Sequence, residues 1–508
     1  MKRYLFVAAL MIAAYASAQT EVVFPQDFMS GQQRGKDVKI TNRMYVVGIL
    51  PSVYDDIYMA EFFPRMPGET TPDPESEEAY DILGRIQDTN FRLKYYSVPK
   101  NSMCLGMSFE NLIGKGATGY DNWVSYDESY YNSLGHGPEG YDPREKPVFP
   151  DATLTICSAN LKWYMTTLGS NKDAASDEDE FRRQTAKIIN GLSQVEADIY
   201  AFVEVEQNAS VLNVLASNLN AKLGTDKWVA VDRGITDESS VYQSCGFVYN
   251  KETVAPDGKY DYTISGGYQN RSPLMLFKEL STGERFYLNC IHLKAKSGTS
   301  SYESERMEQV EKIAAKLKLK SVTTKDPDIL IVGDYNSYSA ENPIRYMEEQ
   351  GFTEELKRFD PEGYSYRWDI NNIAPAFGYL DHVMSSATMS QQVVGAKAWH
   401  INTAYKDADY SFKKSESTEM YRYADHDPVI VGLKLYTVPS SVFSIETPHT
   451  VVRVEGGTVR VEGANDEISI WTLTGTLVGT VDATDQFPLP QGFYIIKADN
   501  DIHKVVIQ

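Results

Sequence analysis

Between residues 151 and 436, short apolar runs alternate with stretches whose apolar residues recur at helical spacing. TLTICSANL, DIYAFVEV, WVAVD, FYLNCIHL, DILIVGDYN and PVIVGLKLY are rich in β-branched and aromatic residues and read as strands. Phe181, Ile188, Leu192 and Val195 share one face of a helix predicted over 177–195. Met307, Val310, Ala314 and Leu317 repeat that spacing later. Strands alternating with helices predict an α/β domain. The flanks differ. Residues 19–150 are rich in Tyr, Gly and Pro, with strand-like VKIT, MYVVGIL and IYMAEFF and an acidic loop at 67–78. Residues 442–508 read as all-β: VVRVEG, TVRVEG, EISIWTLTG, TLVGTV, FYIIKA and HKVVIQ, broken by Gly and Asp/Asn turns. The expected organisation is a leader at 1–18, a β-rich region at 19–150, a catalytic domain at 151–436 and a small β domain at 437–508.

The first residues read as a signal peptide. Lys2 and Arg3 precede the apolar run 4–15, which is too short to span a bilayer, and Ala16-Ser17-Ala18 offers a small-x-small cleavage site. No later run reaches about 18 uninterrupted apolar residues, so no integral membrane segment is expected in the mature chain. Export permits disulfides. Of Cys104, Cys157, Cys245 and Cys290, however, three sit in strand-like runs, where buried free thiols are expected. No C-x-x-C occurs, so a zinc ribbon or redox motif is not supported.

At 508 residues the chain exceeds one ordinary domain of about 150 residues. Its formal net charge of −21 argues against a general basic nucleic-acid binder. It leaves open an enzyme whose site alone attracts phosphate. The run 173–180, DAASDEDE, lacks the spacing and glycine of an EF-hand and suits a helix N-terminus.

The informative pattern is polar residues at the C-terminal ends of apolar strands, where α/β proteins build sites. They are Asn160, Glu204, His292 with Lys294, Asp334 with Asn336, Asp381 with His382, and Asp425 with His426. Any one alone reads as a cap or turn residue. The ordered set does not. Carboxylates and amide oxygens suit Mg²⁺ or Mn²⁺, which polarise phosphoryl oxygens. A His held by an Asp is a general base, and a second His and a Lys can offset charge developing on phosphate. Among the neighbours, Glu206 is balanced between a role behind Glu204 and a place on the rim. His382 is expected to be structural, since strand alternation turns it away from Asp381. Tyr335, Tyr338, Trp163 and Tyr164 are expected to pack rather than stack on bases.

In this order the motifs AFVEVEQN, NRSPLMLF, NCIHLKAKS, GDYNSYSAENP, GYLDHVMSS and DHDPV resemble the endonuclease/exonuclease/phosphatase superfamily, in spelling most of all its secreted bacterial nucleases. The resemblance covers about 151–435. It implies a four-layer α/β sandwich of two packed mixed sheets. It also implies that Glu204, with Asn160 and Asp425, holds the metal, and that His426, oriented by Asp381, activates water. Asp334 and Asn336 would align nucleophile and phosphate, His292 would face the scissile phosphate, and Lys294, Arg271 and Asn336 would contact the substrate phosphate. Mg²⁺ is the implied cofactor, with Mn²⁺ as a substitute and a structural Ca²⁺ left open. The implied activity is hydrolysis of extracellular DNA or RNA. A sphingomyelinase- or inositol-phosphatase-like hydrolase uses the same residues, and a binding protein that lost catalysis is a third class.

The region 19–150 resembles the oligonucleotide-binding-fold-like segment before the catalytic domain of secreted nucleases. EISIWTLTGTLVGTV and LPQGFYIIKADNDIHKVVIQ resemble a type IX secretion sorting domain, with a small carbohydrate-binding β-sandwich as the alternative. On that resemblance the protein is exported to the cell surface or medium through the secretion machinery; a monomer with nucleic acid as substrate is expected.

Overall fold

The computed structural model describes residues 140–296, 302–361, 363–370, 374–405, 411–436 and most of 450–507, with eight short strand segments before residue 140. The leader at 1–18 and Cys104 lie outside the described residues. The chain divides into two compact units, Met1–Tyr436 and Thr437–Gln508. The first therefore contains both the β-rich preface and the α/β body.

In the α/β body one sheet has six strands. In chain order these are β1 (Leu154–Tyr164), β2 (Ile199–Glu206), β3 (Trp228–Ala230), β4 (Gln243–Asn250), β14 (Val393–Ala398) and β15 (Val429–Leu433). Their spatial order is β3-β4-β2-β1-β15-β14, with β1 and β2 parallel at the centre. Between β4 and β14 the chain forms the other strands. They are β5 (Val254–Pro256), β6 (Asp261–Tyr262), β7 (Pro273–Glu279), β8 (Arg285–His292), β9 (Ile329–Asp334), β10 (Thr353–Glu354), β11 (Tyr366–Ile370), β12 (Ala374–Gly378) and β13 (Asp381–Ser385). The second sheet runs β5-β7-β8-β9-β13-β10, with β6 also on β7, while β11 and β12 form a separate hairpin pair.

The sheets lie face to face. One core cluster draws Ile156, Ala201, Val203 and Val431 from the first sheet and Leu288, Cys290, Val332 and Val383 from the second. Their neighbours in sequence point outward to helices. Cys157, Tyr200 and Phe202 pack on α1 (Glu178–Leu192) and α2 (Val211–Leu223). Ile291, Ile331 and Met384 pack on α3 (Glu303–Thr324) and α4 (Asn342–Glu349). Four layers, helix–sheet–sheet–helix, leave each central strand apolar on both faces, which is why these strands read as continuous runs. The helices follow their patterns: Ile188 and Leu192 of α1 and Val310, Ala314 and Leu317 of α3 are buried. The acidic run 173–180 starts α1, where Asp177 caps the Glu180 amide at 2.9 Å.

The nine described strands up to Tyr141 form one mixed sheet. The C-terminal unit is all-β, with a three-stranded and a four-stranded sheet around Val459, Val461, Ile468, Ile470, Phe487 and Ile496. No helix among the described residues is long and apolar enough to cross a membrane.

Candidate active site

Register aligns the second sheet's contribution. His292 ends β8, Asp334 ends β9 and Asp381 begins β13, and they are lateral neighbours, His292 beside Asp334 beside Asp381. The backbone before Asp334 must be Gly333. Its φ is +128°, and a Cβ there would lie 2.2 Å from the Ile291 carbonyl oxygen. Asn336 follows with φ +48°, its amide donating to Asp334 Oδ1 at 2.7 Å and its Nδ2 to the Leu293 carbonyl at 3.2 Å.

The first sheet contributes Glu204 through a bulge. Pairing of β1 with β2 jumps from Asn160–Val203 to Tyr164–Val205, so three β1 residues oppose Glu204 alone. Lys162 (φ +48°), Trp163 (φ +54°) and Glu204 (φ +60°) all sit in the left-handed region. Such conformations cost about 1–3 kcal/mol each and persist only where neighbours enforce them. Here the Lys162 amide donates to Asn160 Oδ1 at 2.9 Å and the Trp163 amide to Glu204 Oε2 at 3.1 Å. Gln243 Nε2 donates to the same Oε2 at 2.7 Å.

At the centre, Glu204 Oε1, Asp334 Oδ2 and His292 Nε2 converge. His292 Nε2 is 3.7 Å from Glu204 and 3.8 Å from Asp334, and the candidate ligand atoms of the three lie within 4.8 Å of one another. Asn160 turns its Nδ2 to both carboxylates at 3.3 Å, its oxygen being occupied by the Lys162 amide. Asp425 is half-buried and faces Lys162, Nζ to Oδ2 3.5 Å. The sequence grouped Asn160 and Asp425 with Glu204 as metal ligands. In the structure Asn160 lies 3.3 Å from both Glu204 and Asp334, Asp425 faces Lys162, and among the described His, Cys, Asp and Glu side chains Glu204, Asp334 and His292 converge.

His426 precedes β15. Its Nδ1 bonds Asp381 Oδ2 at 2.7 Å, and its Nε2 points inward, 3.8 Å from Asp334 Oδ2. The Asp381 amide in turn donates to Ser365 Oγ at 3.0 Å. Asn402 Nδ2 holds the His426 carbonyl at 2.6 Å. Asp427 accepts from the Asn402 and Thr403 amides at 2.8 and 3.0 Å and pairs with His400 Nδ1 at 2.9 Å. Two cations stand on the His292 side. Lys294 lies over the Tyr302 ring at 4.4 Å and Arg271 over Tyr268 at 5.3 Å.

The neighbours separate clearly. Glu206 is buried and accepts from Thr166 and Thr167, through amides and hydroxyls, and from the Ser240 amide. It is a clamp between loops. His382 faces the Ser337 carbonyl at 2.8 Å and Glu354 at 3.3 Å, away from the site. Tyr335 and Tyr338 are buried, and Tyr164 packs on Phe181. Cys157, Cys245 and Cys290 are buried free thiols.

The electrostatics are those of crowded negative charge. Burial, then the charge of Asp425, pushes the Glu204 carboxyl up. Burial pushes Asp334 up to about 7, with His426 pulling against it and Asp381 adding to it. Burial disfavours a charged His426, but Asp381 and Asp334 outweigh it and hold this imidazole well above its ordinary range. Burial, with Arg271 and His426 nearby, holds His292 well below. A neutral imidazole and two crowded carboxylates form a donor set that fits a hard divalent cation, whose charge would relieve the repulsion.

Sequence reasoning missed Gln243, Ser365, Asn402, Asp427 and Lys162. Asp427 stood in plain view in DHDPV, but the other partners come from distant segments or from the bulge.

No protein-family model and no curated protein matches the chain. Solved structures with a similar fold include endonuclease/exonuclease/phosphatase family proteins. One from Bacteroides vulgatus is 14% identical, TM-score 0.37, over 56% of this chain and 99% of that one. A Bacteroides thetaiotaomicron mannosyl-6-phosphatase is 15% identical, TM-score 0.39, over 56% and 100%. D. rerio TDP2 complexed with single strand DNA product is 13% identical, TM-score 0.38, over 56% and 99%. Scores of this size leave the functional reading to the site's own residues.

Proposed function

We propose that the chain is an exported, Mg²⁺- or Mn²⁺-dependent phosphodiesterase that hydrolyses nucleic acid, DNA or RNA. The observation that carries this is the His426–Asp381 pair, 2.7 Å apart, aimed at the same strand-end cluster in which Glu204, Asp334 and His292 converge.

Glu204, Asp334 and His292 would hold the ion. When bound, it would polarise a phosphoryl oxygen and offset the local negative charge. Asp381 fixes the His426 tautomer with its proton on Nδ1, leaving Nε2 to take a proton from the attacking water. Asp381 and Asp334 hold the His426 imidazole above its ordinary range, and a cation held by Glu204 and Asp334 would offset that negative charge and favour the neutral base. Lys294 and Arg271 supply positive charge on the His292 side, and Asn336 sets the turn that aims Asp334. The Thr437–Gln508 unit is read as a secretion sorting domain, and residues 1–18 as its leader.

The test is a substrate panel of double-stranded DNA, single-stranded DNA, RNA, sphingomyelin and an inositol phosphate, each with Mg²⁺ and with chelator. Cleavage of a nucleic acid, abolished by chelator, is expected. Intact nucleic acids with a cleaved lipid or inositol phosphate would move the enzyme to the other hydrolase class. No cleavage of anything would sink the reading.

A further inference from the structure

Lys294 and Lys296 stand two residues apart after β8 and are held differently. Lys296 pairs with Glu341 and lies over the Tyr338 ring at 5.2 Å. The Lys294 ammonium rests on the Tyr302 ring and, among the described residues, pairs with no carboxylate. What is fixed at Lys294 is the backbone. Its amide donates to Gln309 Oε1 at 2.9 Å, and its carbonyl accepts from Arg306 Nη1 at 3.2 Å. One residue earlier, the Leu293 amide donates to the Asp334 carbonyl at 2.9 Å and the Leu293 carbonyl accepts from Asn336 Nδ2 at 3.2 Å. Arg306 and Gln309 lie three residues apart on one face of α3, and both are buried. Val310, Ile313 and Leu317 carry the buried side of the helix on over the sheet. Arg306 is wholly buried, and its bonds go to the Lys294 carbonyl and, through Nε at 3.1 Å, to Ser337 Oγ. Ser337 closes the turn that begins at Asp334, and its carbonyl meets His382 Nε2 at 2.8 Å. A guanidinium is costly to bury. This one spans the two loops that carry Lys294 and Asp334.

We propose that Arg306 and Gln309 are positioning residues for the reaction. They fix the backbone of Lys294 relative to the turn from Asp334 to Ser337, so that the Lys294 ammonium is presented to a substrate phosphate at the strand ends. The inference rests on the phosphodiesterase reading above. A lysine is a flexible point charge whose rotamer freedom is lost when it grips a phosphate. A backbone held at both amide and carbonyl, with the Tyr302 ring under the ammonium, removes part of that loss before the substrate arrives. Neither Arg306 nor Gln309 needs to touch the substrate. Gln309 acts on the Lys294 amide alone, whereas Arg306 also holds Ser337 and through it the turn that aims Asp334.

A double-mutant cycle on the full chain decides it, with steady-state cleavage of short single-stranded DNA and RNA oligonucleotides in Mg²⁺ as the readout. Lys294→Ala is expected to raise KM about tenfold, as loss of a charged hydrogen bond to phosphate does. Gln309→Leu should raise KM by a similar factor with kcat held within about twofold. Gln309→Glu keeps the acceptor and should restore the wild-type KM. Arg306→Met should raise KM and lower kcat as well, because Ser337 is released. Adding Gln309→Leu to Lys294→Ala should raise KM no further, since the glutamine acts through the lysine. A purely structural role predicts instead that the two effects multiply. Should Arg306→Met fail to fold, Gln309→Leu decides the matter alone. A wild-type KM in Gln309→Leu or in Lys294→Ala, or effects that multiply in the double variant, would overturn the inference. If the wild type cleaves neither oligonucleotide, the nuclease reading itself fails, and this inference with it.

Discussion

Glu204 and Glu206 stand two residues apart on one strand and are built for opposite purposes. Glu206 is fully satisfied. Burial would raise its carboxyl, but the hydroxyls of Thr166 and Thr167, with backbone amides, outweigh that and hold it below the usual carboxylate range. It joins the loop after β1 to the loop before β4. Glu204 has a strained backbone, a single long hydrogen bond at 3.3 Å to Oε1 with His292 Nε2 3.7 Å away, and a carboxyl raised by burial and by Asp425. A charge that stabilises the fold is surrounded by donors. A charge kept for a ligand is left short of them, and the rest of the structure bears the cost.

The strongest break of this contrast is chemical. His426→Ala is expected to lower kcat about 10³-fold, as loss of a positioned general base does. Glu204→Gln is expected to lower activity at least as far and to weaken Mn²⁺ binding, with no loss of thermal stability in chelator, because it removes a crowded buried charge. Activity assays and thermal melts together decide it. A Glu204→Gln protein that keeps most of its activity, or one that melts well below the wild type, would erase the distinction between the two carboxylates.

Glu206→Ala should invert the pattern. Removing the acceptor strands buried donors, which costs about 3–5 kcal/mol of stability by analogy with broken buried ion pairs and networks. Acid sharpens the difference in sign. Glu206 has a depressed folded pKa, so its contribution is present above the unfolded value of about 4.3 and is lost as pH falls through the folded value. Glu204 has a raised folded pKa, so its contribution is present below about 4.3 and is lost as pH rises through the folded value. Denaturation in chelator at several pH values should therefore show two opposite trends. The advantage of wild type over Glu206→Gln should shrink toward acid. The advantage of Glu204→Gln over wild type should grow toward neutral pH. Parallel trends would mean that the two groups share one environment.

This contrast also marks how far the sequence could be read. The strand-end positions His292, Asp334, Asp381 and His426 were legible because each interrupts a run that is otherwise apolar, whereas strands alternating with amphipathic helices carried only the α/β class and the four-layer sandwich was implied by the motif resemblance. The three neighbours on the second sheet then fall side by side through simple register. Glu206 was not resolvable, because strand alternation puts it on the face of Glu204 and its partners Thr166 and Ser240 lie far away in sequence. Lys162 and Gln243 were invisible for a related reason. A bulge is a property of pairing between strands, and nothing in SANLKWY alone announces that three residues will oppose one.

The smallest test asks whether the clamp reaches the chemistry at all. Thr167→Val keeps the shape and the backbone amide that donates to Glu206 Oε2 at 2.9 Å, and removes only the hydroxyl bound to Oε1. One such bond contributes about 1 kcal/mol, or roughly 2–4 °C in Tm for a domain of this size. Thr166→Val should lose more, because that hydroxyl also accepts from the buried Asn208 Nδ2 at 2.6 Å, which would keep only its 3.3 Å bond to the Glu238 carbonyl. If Glu206 serves the fold alone, both variants melt lower with kcat and KM unchanged. A fall in kcat larger than the shift in Tm explains would mean that the clamp transmits its position along β2 to Glu204.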